Sequence, residues 1–446
     1  MSDFTCTSAA AALRSGELSP LDLVERCLAR IDRHEPQIHA WVMVDGEGAR
    51  KDARRLADEL ARGFDRGPLH GIPIGIKDII DVEGWPTLAG SPLRAGHRAR
   101  RDAELVARLR RAGAIILGKT VTCEFACFDP APTRNPWNLE RTPGGSSAGS
   151  AAAVALGMCL AAVGTQTGGS ITRPASYCGV AGFKPTHGEI PLDGVLPVSS
   201  TLDHAGAIAR TVDDLVAMIA AMAGTSPRQP LEIGEAPLLR IPSGFFLRHA
   251  VNDLEAYAPV FEALSKSERS PRYGFTNPSL RGLFVTMEST YDEVICEHRT
   301  VMAYEAAQSH RETFPEHRTA YGPAVTGLLD EGLAIPRDRY IAAMQSREHF
   351  RAALHELLMA FDAFYTPATP SAATGLETTG DARFNSPFSF AGVPTISIPC
   401  GVTDEGLPVA LQFVGHPERV DRLIAAARWC EQQIAFDARP TLLEGV

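Results

Sequence analysis

The sequence predicts an α/β fold in which a large mixed sheet lies between helices. Two observations predict it. Segments with helical spacing alternate with short β-branched runs, and those runs are apolar on both faces, as strands covered on both sides are. Residues 8–33 read as two helices, the second capped by Ser19, started by Pro20, and presenting Leu21, Val24, Cys27, Leu28 and Ile31 on one face. A long helix is expected at 48–62. Next come a glycine-interrupted strand within GPLHGIPIGIKDII and a helix at 102–112 running into the strand AIILGKT. The Ala-rich stretch 151–164 falls short of a bilayer span and reads as a buried helix. Ser226, Pro227 and Pro230 mark a linker, after which 232–355 reads as a mainly helical insertion. Strand patterns return at AFYTPATP, PTISIPCGV and PVALQFVG, before a last helix in ERVDRLIAAARWCEQQI.

The chain has 446 residues, 45% of them hydrophobic, with 43 basic and 53 acidic side chains and a formal charge of −10. That composition excludes global disorder. The acidic balance argues against sequence-blind binding to nucleic acid or anionic lipid, and neither a nucleic-acid nor a membrane partner is expected. The first residues carry an acid where a secretory peptide needs a basic start, so no targeting segment is read there. Nine widely spaced cysteines do not form a disulfide framework, and Cys123 and Cys127 lack the further ligands that a zinc site requires. Reduced thiols and a cytoplasmic setting are expected. No dinucleotide fingerprint is present, and no metal or organic cofactor is expected.

Residues 141–190 are the least ordinary part, with two Gly–Ser clusters flanking the Ala-rich run. Small residues there allow backbone to approach backbone or ligand closely. Ser146, Ser147 and Ser170 are candidate nucleophiles, and a serine needs a partner to take its proton. None of the 13 histidines sits in a comparably glycine-rich setting, and no G-x-S-x-G elbow surrounds these serines. Ser170 lies in TGGSI, where successive backbone N–H groups suit an oxyanion hole; a plain tight turn is the alternative. Lys77 stands among the apolar residues of IPIGIKDII. Either it reaches water at a strand end or pairs with Asp78, or burial lowers its pKa and frees the amine as a base. Lys119 and Lys184 make weaker cases of the same kind.

These segments resemble the amidase signature family. The resemblance is carried by GIPIGIKDIID (71–81), GKTVTCEFA (118–126), NPWNLERTPGGSSAGSAAAVA (135–155), GTQTGGSITRPASYCGVAGFKPTHG (164–188), TLDHAGAIARTVDDL (201–215), FSFAGVPTISIPCG (388–401) and GLPVALQFVG (406–415). It implies a single amidase domain over 1–446. A signature core at 71–225 would carry the site, 232–355 would lie on the substrate side, and 360–435 would return to the core sheet. It also implies a Ser–cis-Ser–Lys triad: Ser170 as nucleophile, Ser146 as bridging serine and Lys77 as base, with Ser147 in support. The backbone N–H groups of Thr167, Gly168, Gly169 and Ser170 would form the oxyanion hole, and a small-molecule amide would be the substrate.

Two departures narrow the resemblance. Many members carry an Asp where this chain has Gln166, and an Arg where it has Thr172; here the arginine follows as Arg173. The variant resembles the malonamidase branch, in which such an arginine holds a substrate carboxylate, so Arg173 is the candidate carboxylate grip. Thr165, Gln166 and Tyr304 are further candidate substrate contacts, while Asp203 and His204 read as structural. Phe125 and Trp137 are candidate pocket or core aromatics, as are Phe388 and Phe390. The expected reaction is hydrolysis of a small amide that bears a carboxylate. The alternatives are an amidotransferase-type subunit supplying ammonia to transfer-RNA-linked amidation, a hydrolase of biuret or carboxybiuret type, and a non-catalytic scaffold. The resemblance also allows a homodimer.

Overall fold

The structure, a computed structural model, describes residues 4–228, 231, 236–250, 257, 262 and 290–443. Ten strands form one mixed sheet: β1 (Trp41–Val44), β2 (Pro73–Lys77), β3 (Ile115–Thr120), β4 (Ala161–Gln166), β5 (Ala181–Lys184), β6 (His204–Ala209), β7 (Leu239–Arg240), β8 (Ala363–Pro367), β9 (Thr395–Val402) and β10 (Pro408–Val414). Their spatial order is β1-β3-β2-β4-β6-β5-β9-β10-β8-β7. β2 runs parallel to both of its neighbours, β3 and β4, whereas β4, β6, β5, β9, β10 and β8 alternate as antiparallel pairs. β2, β3, β4 and β6 are buried along their whole length, so both sheet faces are covered and the runs read as continuously apolar. The α/β class with a large mixed sheet flanked by helices is what the sequence predicts.

Local chemistry explains the boundaries. Ser19 accepts from the Asp22 N–H and Asp22 answers the Ser19 N–H, with Pro20 at the first turn, so the helix Pro20–Ile38 starts where the cap requires. The helix expected at 48–62 spans Gly46–Ala61, capped by Asp45, and the one expected at 102–112 spans Glu104–Arg111. Gly75 in β2 is forced by crowding, because a Cβ there would stand 2.8 Å from Thr120 Cγ2.

The Ala-rich stretch departs from expectation. The helix is Ala148–Ala155, eight residues long; Gly157 at φ 62° turns the chain, and 161–166 is strand β4. A run of small apolar residues has no periodicity to separate a buried helix from a buried strand, and the sheet pairing decides it. The two Gly–Ser clusters are therefore joined by a short helix and a strand, which return them to the same end of the sheet.

Of the insertion, the described residues include the helices Tyr291–His310, Pro323–Ala334 and Arg337–Leu358; much of 232–289, and Pro230 of the expected linker, lie outside them. The Tyr291–His310 helix is held closely. Gly332 leaves room for Ala303, whose carbonyl oxygen would stand 1.9 Å from a Cβ at that position. Phe245 and Phe246 pack against Tyr291 and Phe384. Among the described residues, no helix is long and apolar enough to cross a membrane.

Candidate active site

Lys77 ends β2 with its side chain fully buried. Its Nζ stands 2.8 Å from Ser146 Oγ and 2.8 Å from Thr165 Oγ1, and among the described residues no carboxylate pairs with it. Burial disfavours the ammonium and pulls the pKa down to about 7, and the charge of Arg173 pushes the same way. Lys119, on the neighbouring strand β3, shows the contrast. It is equally buried, but its Nζ pairs with Asp78 Oδ1 at 2.8 Å and donates to the Pro86 carbonyl, so it is a charge-paired core lysine. Lys184 bonds backbone carbonyls, those of Val393 and Pro185, and does not reach the site.

Ser146 follows a cis peptide bond from Gly145. The Gly145 carbonyl accepts from Arg173 Nη2 at 2.7 Å, and the Ser146 carbonyl accepts from the Cys123 N–H at 3.2 Å, so the turn is held from both sides. Ser147 ties this turn to the second cluster. Its N–H donates to the Ser170 carbonyl at 3.3 Å, and its Oγ both donates to the Thr165 carbonyl and accepts from the Thr165 N–H at 3.3 Å. Any lengthening of that link would separate Ser170 from the serine turn.

Residues 167–170 connect β4 to the short helix Thr172–Tyr177. All four of their carbonyls are engaged. Thr167 O accepts from His298 Nε2 at 3.0 Å, Gly168 O from Ser389 Oγ at 2.7 Å, Gly169 O from the Arg173 N–H at 2.9 Å, and Ser170 O from Ser147. In a trans peptide the C=O and the following N–H point in opposite directions. Anchoring the carbonyls of Thr167, Gly168 and Gly169 in the protein therefore turns the N–H groups of Gly168, Gly169 and Ser170 the other way. Gly169 has to be glycine, since a Cβ would stand 2.5 Å from Asn385 Oδ1.

These four residues line a pocket of about 430 Å³, together with Arg173, Cys127, His298 and Arg299 among others. The Tyr291–His310 helix supplies one wall through Asp292, Ile295, Cys296, His298, Arg299 and Met302. Arg299 and Arg383 are neutralised by Glu331 and Asp381. Arg173 is not: it is 2% exposed, its Nε has no hydrogen-bond partner, and no ion pair joins it to a carboxylate among the described residues. A buried guanidinium with an open donor facing a pocket is a ready grip for an anion.

The structure brings Lys77, Ser146, Ser147, Thr165, residues 167–170 and Arg173 into one connected network. Thr165 meets Lys77 and does not line the pocket. Gln166 and Tyr304 are not brought to the pocket wall. Gln166 Oε1 accepts from the Ile171 and Thr172 N–H groups, and its Nε2 donates to Ser389, so its amide braces the helix Thr172–Tyr177 in place of the missing acid and arginine. Tyr304 stacks on Tyr340 at 4.3 Å. Phe125 packs against His310 and Tyr321, Trp137 donates to the Cys178 carbonyl, and Phe388 and Phe390 are buried core. Asp203 accepts from Thr167 Oγ1 at 2.5 Å, and burial raises its pKa to about 6. Sequence reasoning missed His298 altogether, because a single histidine on a helix 131 positions from Thr167 carries no local signal.

A buried amine, a serine turn and a glycine turn around one pocket on an α/β sheet define a hydrolase site of the amide-cleaving class. The chain belongs to the Amidase family, whose profile matches residues 22–234 and 277–423. It is therefore an amidase-signature hydrolase, acting on a C–N amide bond. It is 34% identical to the A chain of the glutamyl-tRNA(Gln) amidotransferase of Roseiflexus castenholzii over 92% of each sequence. It is 29% identical to a putative amidase, AmiD, of Mycobacterium tuberculosis over 98% of this chain and 96% of that one. Among solved structures it is similar to an amidase (34% identity, TM-score 0.84, 97% and 100% coverage). It is also similar to the native peptide amidase of Stenotrophomonas maltophilia (28%, TM-score 0.76, 99% of each chain).

These relatives correct one expectation. The acidic composition argued against any nucleic-acid partner, yet six relatives at 32–34% identity are components of an enzyme named for a transfer RNA. Net charge reports on a chain's own surface, and one component of a complex can serve a tRNA-linked reaction without itself presenting a basic face. None of these relatives is named a malonamidase.

Proposed function

We propose that the chain hydrolyses the amide of a small carboxylate-bearing compound through an acyl-enzyme on Ser170, as the ammonia-releasing component of a tRNA-linked amidotransferase. The observation that carries the chemistry is Lys77, fully buried, with a pKa near 7 and 2.8 Å from Ser146 Oγ. Ser170 Oγ attacks the amide carbon, its proton passing to Ser146 as the Ser146 proton passes to Lys77. The oxyanion forms against the N–H groups of residues 167–170. Collapse breaks the C–N bond while the relay returns a proton to the leaving nitrogen. Water then cleaves the ester by the same route, releasing the acid and restoring Ser170. Arg173, with its open Nε, holds the substrate carboxylate. Nine free cysteines, all but Cys296 buried, support a cytoplasmic setting.

The amidotransferase setting rests on the six amidotransferase relatives, each matched over 92–96% of this chain. A free-standing amidase on short acidic amides, such as malonamate or a carboxybiuret-type ureide, is the second reading. The similarity to enzymes named amidase at comparable coverage favours it. Two measurements decide. A fluorophosphonate probe labels wild type and not S170A if Ser170 is the nucleophile; turnover by S170A at the wild-type rate overturns the mechanism. Ammonia release from glutamine and asparagine, with co-purifying partner proteins, supports the amidotransferase reading. Full turnover of malonamate by the isolated chain, with glutamine inert, supports the free-standing one.

A further inference from the structure

His298 belongs to the insertion helix Tyr291–His310, not to the signature segments, yet its ring reaches the first carbonyl of the glycine turn: Nε2 lies 3.0 Å from Thr167 O. A carbonyl can only accept, so this contact requires the Nε2–H tautomer. The peptide whose oxygen it engages is the one that carries the Gly168 N–H. A hydrogen bond at the oxygen fixes the plane of that peptide, and it polarises the N–H at the other end into a better donor. The same residue is gripped from its side chain, where Thr167 Oγ1 donates to Asp203 Oδ1 at 2.5 Å. Thr167 is thus clamped between Asp203 and the insertion helix. The fit is close, since a Cβ on Gly168 would stand 3.4 Å from His298 Cε1.

We propose that His298 is a positioning residue for the reaction, holding the Thr167–Gly168 peptide so that the Gly168 N–H faces the developing oxyanion. The inference rests on Ser170 being the nucleophile, and it adds that the insertion helix, besides walling the pocket, sets the alignment of the oxyanion donors. Burial keeps the ring neutral, with a pKa pulled down to about 4, so the contact persists unchanged across the neutral range. Titratable and charged groups near it are Arg299 on its own helix and, through Thr167, Asp203 on the facing segment.

The test compares H298Q, whose side-chain amide retains a donor, with H298M, which keeps volume and apolar packing but has none. Removing an oxyanion donor outright lowers kcat by about 10²–10³, and loosening one is expected to lower kcat about tenfold in H298M with KM changed less than about twofold. H298Q should recover most of that loss. Both variants should still be labelled at Ser170 by the fluorophosphonate probe, more slowly in H298M; this separates a failure of the present inference from a failure of the Ser170 assignment, which S170A alone decides. Wild-type kcat in H298M, equal losses in the two variants, or a loss confined to KM would overturn the inference. If H298M does not fold, ¹⁵N ring spectra of the wild type decide: an unprotonated Nδ1 with a protonated Nε2 from about pH 6 to 8 is required, and the opposite tautomer overturns the proposal.

Discussion

Lys77 Nζ and Ser146 Oγ stand 2.8 Å apart although 69 positions separate them, and Thr165 Oγ1 holds the amine at the same distance from the other side. With a pKa near 7, the amine changes charge in the working range of a base. Activity is expected to rise with pH through about 7 and then level off, as Lys77 loses its proton. K77A should lower kcat by about 10²–10⁴ and abolish that limb. A pH–rate profile of kcat/KM checks both, and a limb at pH 7 that survives in K77A would assign the titration elsewhere.

The same shift has a consequence for stability. The unfolded chain holds the Lys77 proton up to about 10.5, while the folded protein releases it near 7. Between these values the unfolded state binds more protons, so stability rises with pH across the window and is flat below it. Lys184, lowered to about 7 by the same burial, adds a parallel slope. The difference between wild type and K77M isolates Lys77. Wild type should gain on K77M by up to roughly 4 kcal/mol between pH 7 and pH 10, measured by urea unfolding at both pH values. Parallel pH dependence in the two proteins would contradict a neutral buried amine.

Arg173 serves two partners at once. Its Nη2 supports the Gly145 carbonyl next to Ser146, and its Nε is open. R173M is expected to raise KM for acidic amides by about 10- to 100-fold, the range of a lost charge-assisted hydrogen bond, while neutral amides lose less than about threefold. Steady-state kinetics on an acidic and neutral substrate pair reads the split. Equal losses on both would confine Arg173 to support of the serine turn.

Asp78 and Lys119 form a buried pair whose side chains have no solvent exposure. Removing one partner strands the other charge, so D78N or K119M should each cost about 3–5 kcal/mol, whereas the double replacement D78L/K119M should recover much of it. Chemical unfolding of the two singles and the double closes the cycle. A double mutant no better than the worse single would show that the pair is held by other contacts.

Much of the site was legible in the sequence because its chemistry is local. TGGSI must turn sharply, GGSS must let backbone approach closely, and a lysine inside an apolar strand must be paired, exposed or neutral. The choice among those three could not be made from the sequence: Lys77 and Lys119 sit in similar apolar surroundings, and only the placement of Asp78 against Lys119 leaves Lys77 without a counter-ion. Gln166 was misread as a substrate contact, because a polar residue beside a nucleophile looks functional until its amide is seen to be fully used by Ile171, Thr172 and Ser389.

By itself the sequence determined the α/β class, the strands around Lys77 and the glycine-framed serines, since hydrophobic period, caps and turn residues act over a few neighbouring positions. The tertiary structure decided which lysine is uncharged, which donors of the 167–170 turn are free, that Arg173 has no acid partner among the described residues, and that His298 reaches Thr167. Each of these depends on burial or on a contact between distant segments, and desolvation and hydrogen-bond competition have no value until the chain has closed around them.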